Sequence, residues 1–367
     1  MTQEKGRKRA NPQEHMPDAE HVAAELAKAE SMDDFFIASV EGLPGFKGSK
    51  QYPGEIYMNT TQYPKLEKVY QNYTLDSTRW LRYLPREDDI VISTSYKSGT
   101  TWMQNIVLHM IFQGQNVPEM RSVSPWLDSP VGDPIEKVIE NLEAQEHRRC
   151  IKSHIALDGL PFHEQVKYIV VARDARDVFM SWWNHYSNLT DNAYAYLNDN
   201  PDRLGPPLPR CPDDINEHWR TWISHGWFEW ESEGYPHSGN MHHTQTWWGY
   251  RHLENILFVH FNDLLANLED ELQQIAKFLD IHLSAEATAE IAHAVTFSTM
   301  KKEATKNPSA GTETWKQGMK TFFFKGTNGR WKDVLTKEDL AMYETTKSRV
   351  LTTECAQWLE QGRSAFS

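Results

Sequence analysis

Cysteine is scarce in this chain. Cys150, Cys211 and Cys355 are odd in number, far apart and without a C-x-x-C pair, which argues against an exported disulfide scaffold and for a reducing, cytoplasmic setting. No run of about 18 consecutive apolar residues occurs, so no membrane-spanning helix is expected. The first residues, MTQEKGRKRANPQEH, are basic but have no apolar stretch behind them and do not read as a secretory signal. Positive charge is in deficit as well: 38 Lys and Arg against 51 Asp and Glu leave a formal net charge of −13, which argues against general nucleic-acid binding. An anionic ligand is still allowed, because a few cations in one loop outweigh a diffuse negative field. Internal repeats and low-complexity tracts are missing. Aromatics are plentiful: they make up 12% of the chain, with 14 tryptophans, enough for a substantial core and against a disordered protein.

The most informative segment is Ile90 to Trp102, IVISTSYKSGTTW. Its β-branched start reads as a buried strand. A loop of small and hydroxyl residues around one lysine follows, and Trp102 to Phe112 has the apolar spacing of a helix. A strand, a loop and a helix N-terminus in that order make an anion site, because free N–H groups and the helix dipole both face the loop. Gly99 allows close approach of the backbone, Thr100 and Thr101 add hydroxyl donors, and Lys97 adds a full charge. The nucleotide-triphosphatase template G-x-x-x-x-G-K-[ST] does not fit, since here the lysine precedes the glycine.

Residues 1–30 are polar and are expected to form a mobile tail. Residues 31–80 read as an irregular aromatic-rich wrap, and 31–363 as a single domain. Further strands are predicted at Cys150–His154, Val166–Ala172 and Asn255–Phe261. Helices are predicted at Val178–Tyr186, Leu268–Leu279, Ala285–Ala294 and Lys337–Leu359. The Pro- and Gly-rich stretch Asp199–Cys211 reads as a loop. This alternation predicts an α/β fold: three layers, α/β/α, around a mainly parallel sheet with a P-loop-like strand-loop-helix. Ligands in such folds sit beyond the carboxyl ends of the strands.

The order K-S-G-T-T-W at 97–102 resembles the 5′-phosphosulfate loop of the cytosolic-type sulfotransferases, P-K-S-G-T-T-W, with Tyr96 in place of proline. RDARDVFMSWWNHY at 173–186 resembles the family's second cofactor segment, and FFFKGTNGRWK at 322–332 resembles its R-K-G-x-x-G-D-W-K loop, with Phe324 for arginine and Arg330 for aspartate. Lys152-Ser153-His154 resembles K-T-H, and VTFSTM at 295–300 resembles T-S-F-x-x-M. Wording such as VSPWLD at 123–128 and HRRCIKSH at 147–154 is similar to the bacterial branch.

The resemblance implies an enzyme that moves a sulfuryl group from 3′-phosphoadenosine-5′-phosphosulfate (PAPS) to a hydroxyl of a small-molecule or lipid or glycan acceptor, leaving 3′-phosphoadenosine-5′-phosphate (PAP), with no metal. His154 would be the general base, a role suited to an imidazole whose ordinary pKa lies near working pH. Lys97 and Lys152 would offset developing charge, and Ser181 would contact the 3′-phosphate and hold Lys97 beforehand. Cofactor contacts are expected from Lys97, Ser98, Gly99, Thr100, Thr101 and Trp102, and from Arg173, Ser181, Phe261, Thr296, Phe297 and Met300. Phe324, Lys325 and Gly326 complete the set, with Trp102 and Phe297 on either side of the adenine. The family's dimer motif K-x-x-x-T-V-x-x-x-E is degraded, since Lys337 and Ala341 replace its valine and glutamate.

Two other readings stay open: a nucleotide kinase with a degenerate phosphate loop, and a nucleotide-binding module without chemistry. His237, His242 and His243 invite a zinc site, but their spacing fits no common ligand pattern, and a loop near an acceptor pocket fits better. Trp219, Trp222, Trp227 and Trp230 read either as a core-facing stripe or as an aromatic pocket.

Overall fold

The computed structural model describes residues 63–366. The expected tail at 1–30 and most of the expected wrap lie outside the described residues. Residues 63–67, the described end of a first compact unit that ends at Glu67, adopt no regular secondary structure. A second unit begins at Lys68 and holds everything that follows.

A short antiparallel pair, β1 (Gln71–Asn72) and β2 (Leu75–Asp76), precedes the main sheet. Strands β3 (Ile90–Thr94), β4 (Cys150–Ser153), β5 (Lys167–Ala172) and β6 (Ile256–His260) form a parallel sheet in the order β4-β3-β5-β6. Their register runs Ile90↔Cys150, Ile90↔Lys167 and Tyr168↔Ile256. All four strands lie where the sequence predicts them.

The layers follow from the strand period of two. Ile90, Ile92, Ile169 and Val171 face one core with Met103, Ile106 and Val107 of helix α1 (Thr100–Ile111). Val91, Val170 and Tyr168 face the other with Tyr70, Leu75 and Trp80. Both faces are therefore covered, and a run such as IVI is apolar throughout. Helices α2 (Ala175–Tyr186), α3 (Ile215–Ser224) and α4 (Asn240–Trp248) build a further core. Helices α5 (Leu268–Phe278), α6 (Ala285–Ala294) and α7 (Phe297–Ala304) follow β6.

The C-terminal helix differs from expectation. Instead of one helix to Leu359, α8 (Lys337–Val350) and α9 (Thr353–Gln361) are separated at Leu351 and Thr352. Leu351 is extended (φ −106°, ψ 143°), and the Thr352 side chain caps α9 by accepting from the Cys355 N–H. The Thr352 N–H donates to Gln245 Oε1 of α4 at 2.8 Å. A β-branched hydroxyl residue that competes for backbone donors ends one helix and starts the next.

The strand starts are tied by one buried carboxylate. Asp89 accepts from Tyr83 Oη at 2.5 Å, the Arg86 N–H at 2.8 Å and Arg149 Nε at 2.8 Å. Its carbonyl takes the Lys167 N–H at 2.9 Å, while Ile90 donates to the Arg149 carbonyl at 2.9 Å. Asp89 and Arg149 are both buried, so removing one strands the other. Asp89→Ala should lower unfolding stability by about 3–5 kcal/mol in urea titrations. Lys137→Ala, which breaks an exposed pair with Glu140, should change it by less than about 1 kcal/mol.

Candidate active site

Each parallel strand delivers site residues directly after its last position: Ser95 after β3, His154 after β4, Arg173 after β5 and Phe261 after β6. This is the carboxyl edge of the sheet, where such folds bind ligands.

The turn after β3 is held open by unusual backbone angles. Lys97 has φ 65°, a left-handed conformation that a non-glycine residue adopts only when its surroundings impose it. Gly99 has φ 117°, and a Cβ there would sit 3.1 Å from the Phe261 ring. Inside the turn Ser95 Oγ and Ser98 Oγ lie 2.7 Å apart, and Asn240 Nδ2 donates to Ser95 Oγ at 2.6 Å. Thr100 Oγ1 lies 2.6 Å from Thr94 Oγ1. No side chain caps α1 at Gly99, whereas α2, α3, α7, α8 and α9 are all capped by a side chain. Its first N–H groups are left for another acceptor.

The second and third segments converge on this turn. Arg173 donates to the Lys97 carbonyl at 3.4 Å, to the Thr327 carbonyl at 3.2 Å and to Asn328 Oδ1 at 2.6 and 2.9 Å. The Gly329 N–H donates to Asp177 Oδ1 at 2.7 Å. Gly326 has φ 66°, and a Cβ there would strike the Phe297 ring at 2.6 Å, which packs the third loop onto the start of α7. Thr296 caps α7, Met300 is half-buried beneath it, and Lys301 Nζ donates to the Phe324 carbonyl at 2.8 Å. Trp102 packs edge-on against Phe261 at 5.3 Å. The Trp102 Nε1–H is buried without a hydrogen-bond partner.

His154 is buried at the end of β4. Its Nδ1 lies 2.7 Å from the Thr94 carbonyl, which can only accept. Nδ1 therefore carries the proton, and Nε2 is the free, basic nitrogen. The His154 N–H donates to Asp128 Oδ2 at 3.0 Å, and Trp126 Nε1 donates to the same oxygen at 2.7 Å. Burial, with the Lys152 charge as a second cause, holds the imidazole well below the usual histidine range.

Four cations crowd the site. Burial, then Arg173 and Lys152, bring Lys97 down to about 7. Burial lowers Lys152 to about 8 against the pull of Asp128. Arg173 falls to about 10 through burial, partly offset by Asp177 and reinforced by Arg330. Arg330 is also lowered by burial, and its Nε is buried without a partner. Arg330 stands 5.3 Å over the ring of Phe324, the residue in the place of the expected arginine. Lys325 is exposed beside it, 5.4 Å from the same ring.

The structure departs from expectation at Ser181. Lys97 Nζ bonds to His185 Nδ1 at 3.2 Å, one helical turn beyond Ser181, rather than to Ser181 itself. His185 was not foreseen, although its i+4 spacing from Ser181 on α2 places both on one face. Asn240 was not foreseen either. It lies far along the chain from the turn it braces, and no local pattern announces it. The three singled-out histidines go to separate partners: His237 Nδ1 to Tyr73 Oη at 2.6 Å, His242 Nε2 to Tyr70 Oη at 2.9 Å and His243 Nε2 to Ser93 Oγ at 2.9 Å. The tryptophans divide as well. Trp219 and Trp222 are buried on α3 as a core stripe, while Trp230 is partly exposed and stacks on Phe228 at 5.2 Å.

Fold and site together define a class, a three-layer α/β protein with a P-loop-like anion site. The Sulfotransferase domain family matches residues 87–351. A glycolipid sulfotransferase of Mycobacterium bovis is 30% identical over 325 residues, covering 83% of this chain and 98% of that protein. Sulfotransferase 1A1 of Rattus norvegicus is 29% identical over 274 residues, covering 72% and 85%. Among solved structures, a mouse sulfotransferase complexed with PAP superposes with a TM-score of 0.56 at 22% identity, covering 76% of this chain and 89% of that one. Retinol dehydratase in complex with androsterone and PAP gives 0.55 at 22% identity, covering 74% and 83%. At those identities the structures establish a shared fold. The chain belongs to the sulfotransferase family and is a sulfotransferase enzyme. Among the described residues no helix is long and apolar enough to cross a membrane, and no cluster of three or more His, Cys, Asp or Glu side chains is placed to hold a metal ion.

The crowding of charge is directly measurable. In acetylation with isotope-coded acetic anhydride, followed by mass spectrometry, Lys97 should gain reactivity with a midpoint at about 7. Arg173→Ala removes a repelling charge and should move that midpoint up.

Proposed function

We propose that the protein transfers the sulfuryl group of PAPS to a hydroxyl of a lipid, glycan or small-molecule acceptor, with His154 as general base. The observation that carries this reading is the His154 Nδ1–Thr94 carbonyl hydrogen bond at 2.7 Å, which leaves a basic Nε2 one residue past β4 and beside the phosphosulfate-type loop. The relative named a glycolipid sulfotransferase, matched over 98% of its length, supports a lipid or glycan acceptor.

The residues present fit a doubly phosphorylated nucleotide. A side-chain-free helix start, unpaired Trp102 Nε1 and Arg330 Nε atoms and four crowded cations are the groups such a ligand would satisfy. Lys97, Ser98, Gly99, Thr100 and Thr101 would hold the 5′ side. Arg173, Ser181, Lys325 and Gly326 would hold the 3′-phosphate, with Arg330 supplying the guanidinium that Phe324 lacks. Trp102, Phe261, Thr296, Phe297 and Met300 would form the adenine end.

When bound, PAPS supplies a sulfuryl group on a phosphate leaving group. His154 Nε2 accepts the proton of the acceptor hydroxyl. Lys97, which bonds to His185 at 3.2 Å, and Lys152 from β4 would supply positive charge for the negative charge that develops on transfer. Trp126, packed on Lys152 at 4.0 Å and against His154 at 5.1 Å, keeps water from both. We also propose that the part of the expected 31–363 domain from Lys68 onward acts as one catalytic unit, with the family match running over 87–351, and that the protein works in a reducing cytoplasm, which suits its three free cysteines.

Incubation with ³⁵S-labelled PAPS and a panel of glycolipids, sterols, phenols and hydroxylated alkaloids tests the activity. His154→Ala should cut turnover about 10²–10⁴-fold while PAP affinity by calorimetry stays near wild type, and full turnover in that variant removes His154 as the base. Arg330→Ala should weaken PAP at least about tenfold, as expected for a lost charged hydrogen bond, yet leave AMP, which lacks the 3′-phosphate, unchanged. Adding Phe324→Arg should restore PAP binding. A loss shared equally by AMP counts against the assignment.

A further inference from the structure

Tyr96 occupies the position where the resembled loop carries proline, and its ring lies between two imidazoles. It stacks on His154 at 4.3 Å and 22° and on His237 at 4.3 Å and 12°. Both ends of this column are fixed. His237 meets Tyr73 Oη at 2.6 Å through Nδ1 and stands edge-on to Trp182 at 4.1 Å. Trp126 closes the side of the column, 5.1 Å from His154 and 6.0 Å from Tyr96. The Tyr96 hydroxyl lies 3.0 Å from Thr74 Oγ1 in the β1–β2 turn, and Thr74 is itself held by Asn72 Oδ1. A proline could provide neither this stacking area nor this hydroxyl.

We propose that Tyr96, backed by His237, is the positioning residue of His154: the ring column fixes the plane of the imidazole, so that Nδ1 keeps its bond to Thr94 and Nε2 stays the free nitrogen. The inference rests on the reading of His154 as base. A hydrogen bond at Nδ1 alone leaves the ring free to swing about that contact. A stacked ring on one face and an indole edge at the side remove this freedom. The column also shields the imidazole from water. The charged or titratable groups around His154 are Lys152 on β4, Asp128 at its backbone N–H, Tyr96 in the turn, His237 before α4 and His243 on α4. Burial is the largest cause holding His154 low, and Lys152, His243 and His237 act in the same sense. Hydrating the ring therefore moves its titration upward.

The test uses the full-length protein with ¹³C-labelled histidine and NMR titration, alongside calorimetry with PAP. In the wild type the His154 ring protons should lie upfield, in the shielding cone of Tyr96, and titrate well below the ordinary histidine range. In Tyr96→Ala the upfield shift should vanish and the midpoint rise, while PAP affinity stays within about twofold, since stacking and phosphate contacts are separate interactions. Tyr96→Phe, which keeps the ring, should restore both signals. His237→Leu, which withdraws only the outer ring, should raise the midpoint in the same sense and serves if Tyr96→Ala fails to fold. Unmoved His154 resonances in Tyr96→Ala or His237→Leu, a Phe variant as altered as Ala, or a PAP affinity that falls in step would each overturn the proposal. Wild-type protein that binds no PAP would sink the donor reading and leave the column standing. PAP binding with an unmoved His154 would sink the column alone.

Discussion

Like charges held together out of water are the constraint this site is built around. Lys97, Lys152, Arg173 and Arg330 would be stable if each met a carboxylate, but none has an ion-pair partner among the described residues. Each lies instead over an aromatic ring: Lys97 over Phe322 at 4.9 Å, Lys152 over Trp126 at 4.0 Å, Arg173 over Phe261 at 4.2 Å and Arg330 over Phe324 at 5.3 Å. A ring face attracts a cation by about 0.5–2 kcal/mol and brings no competing negative charge. An arriving anion then has no carboxylate to displace. The structural arginines differ in kind. Arg149 is buried on Asp89, and Arg176 bonds to Asp174 and Glu360. The RDARD run, which could have been an ion-pair ladder throughout, is one only at Arg176.

The sheet was legible because its strands are buried on both faces and read as unbroken apolar runs ending in polar residues. The meeting of the first two segments was legible because each directly follows a strand of the parallel sheet, whereas 322–332 follows no strand and is brought to them by Arg173 and Phe297. What escaped lies in tertiary contacts. His185 reaches Lys97 from across the site, and Asn240 braces Ser95 from a distant helix. The break at Leu351 and Thr352 escaped for another reason: helical periodicity continues through it, and only the cap and the bond to Gln245 reveal a new start.

The departures from the resembled pattern have neighbours in space. Phe324 stands for arginine and Arg330 for aspartate at two positions whose side chains meet, with the guanidinium lying on the ring. Tyr96 for proline removes a rigid turn residue, yet φ 65° at Lys97 keeps the turn in its shape. The Tyr96 ring is itself clamped between His154 and His237. Substitutions that look like losses in a motif are here paired through space.

Electrostatics also couples the groups of this site. Burial and neighbouring cations depress Lys97, His185 and His154 together. A histidine depressed in this way is a weak base, and a lysine at about 7 is only partly charged at neutral pH. Negative charge entering a low-dielectric cleft raises all three, and it raises the nearest most strongly. An anion beside Lys97 would favour its ammonium form and raise the basicity of His154. An anion seated on the turn would thus make His154 the stronger base that its proposed role asks for. That coupling needs dry walls, and the tryptophans that line this region, Trp126, Trp182 and Trp315, supply them.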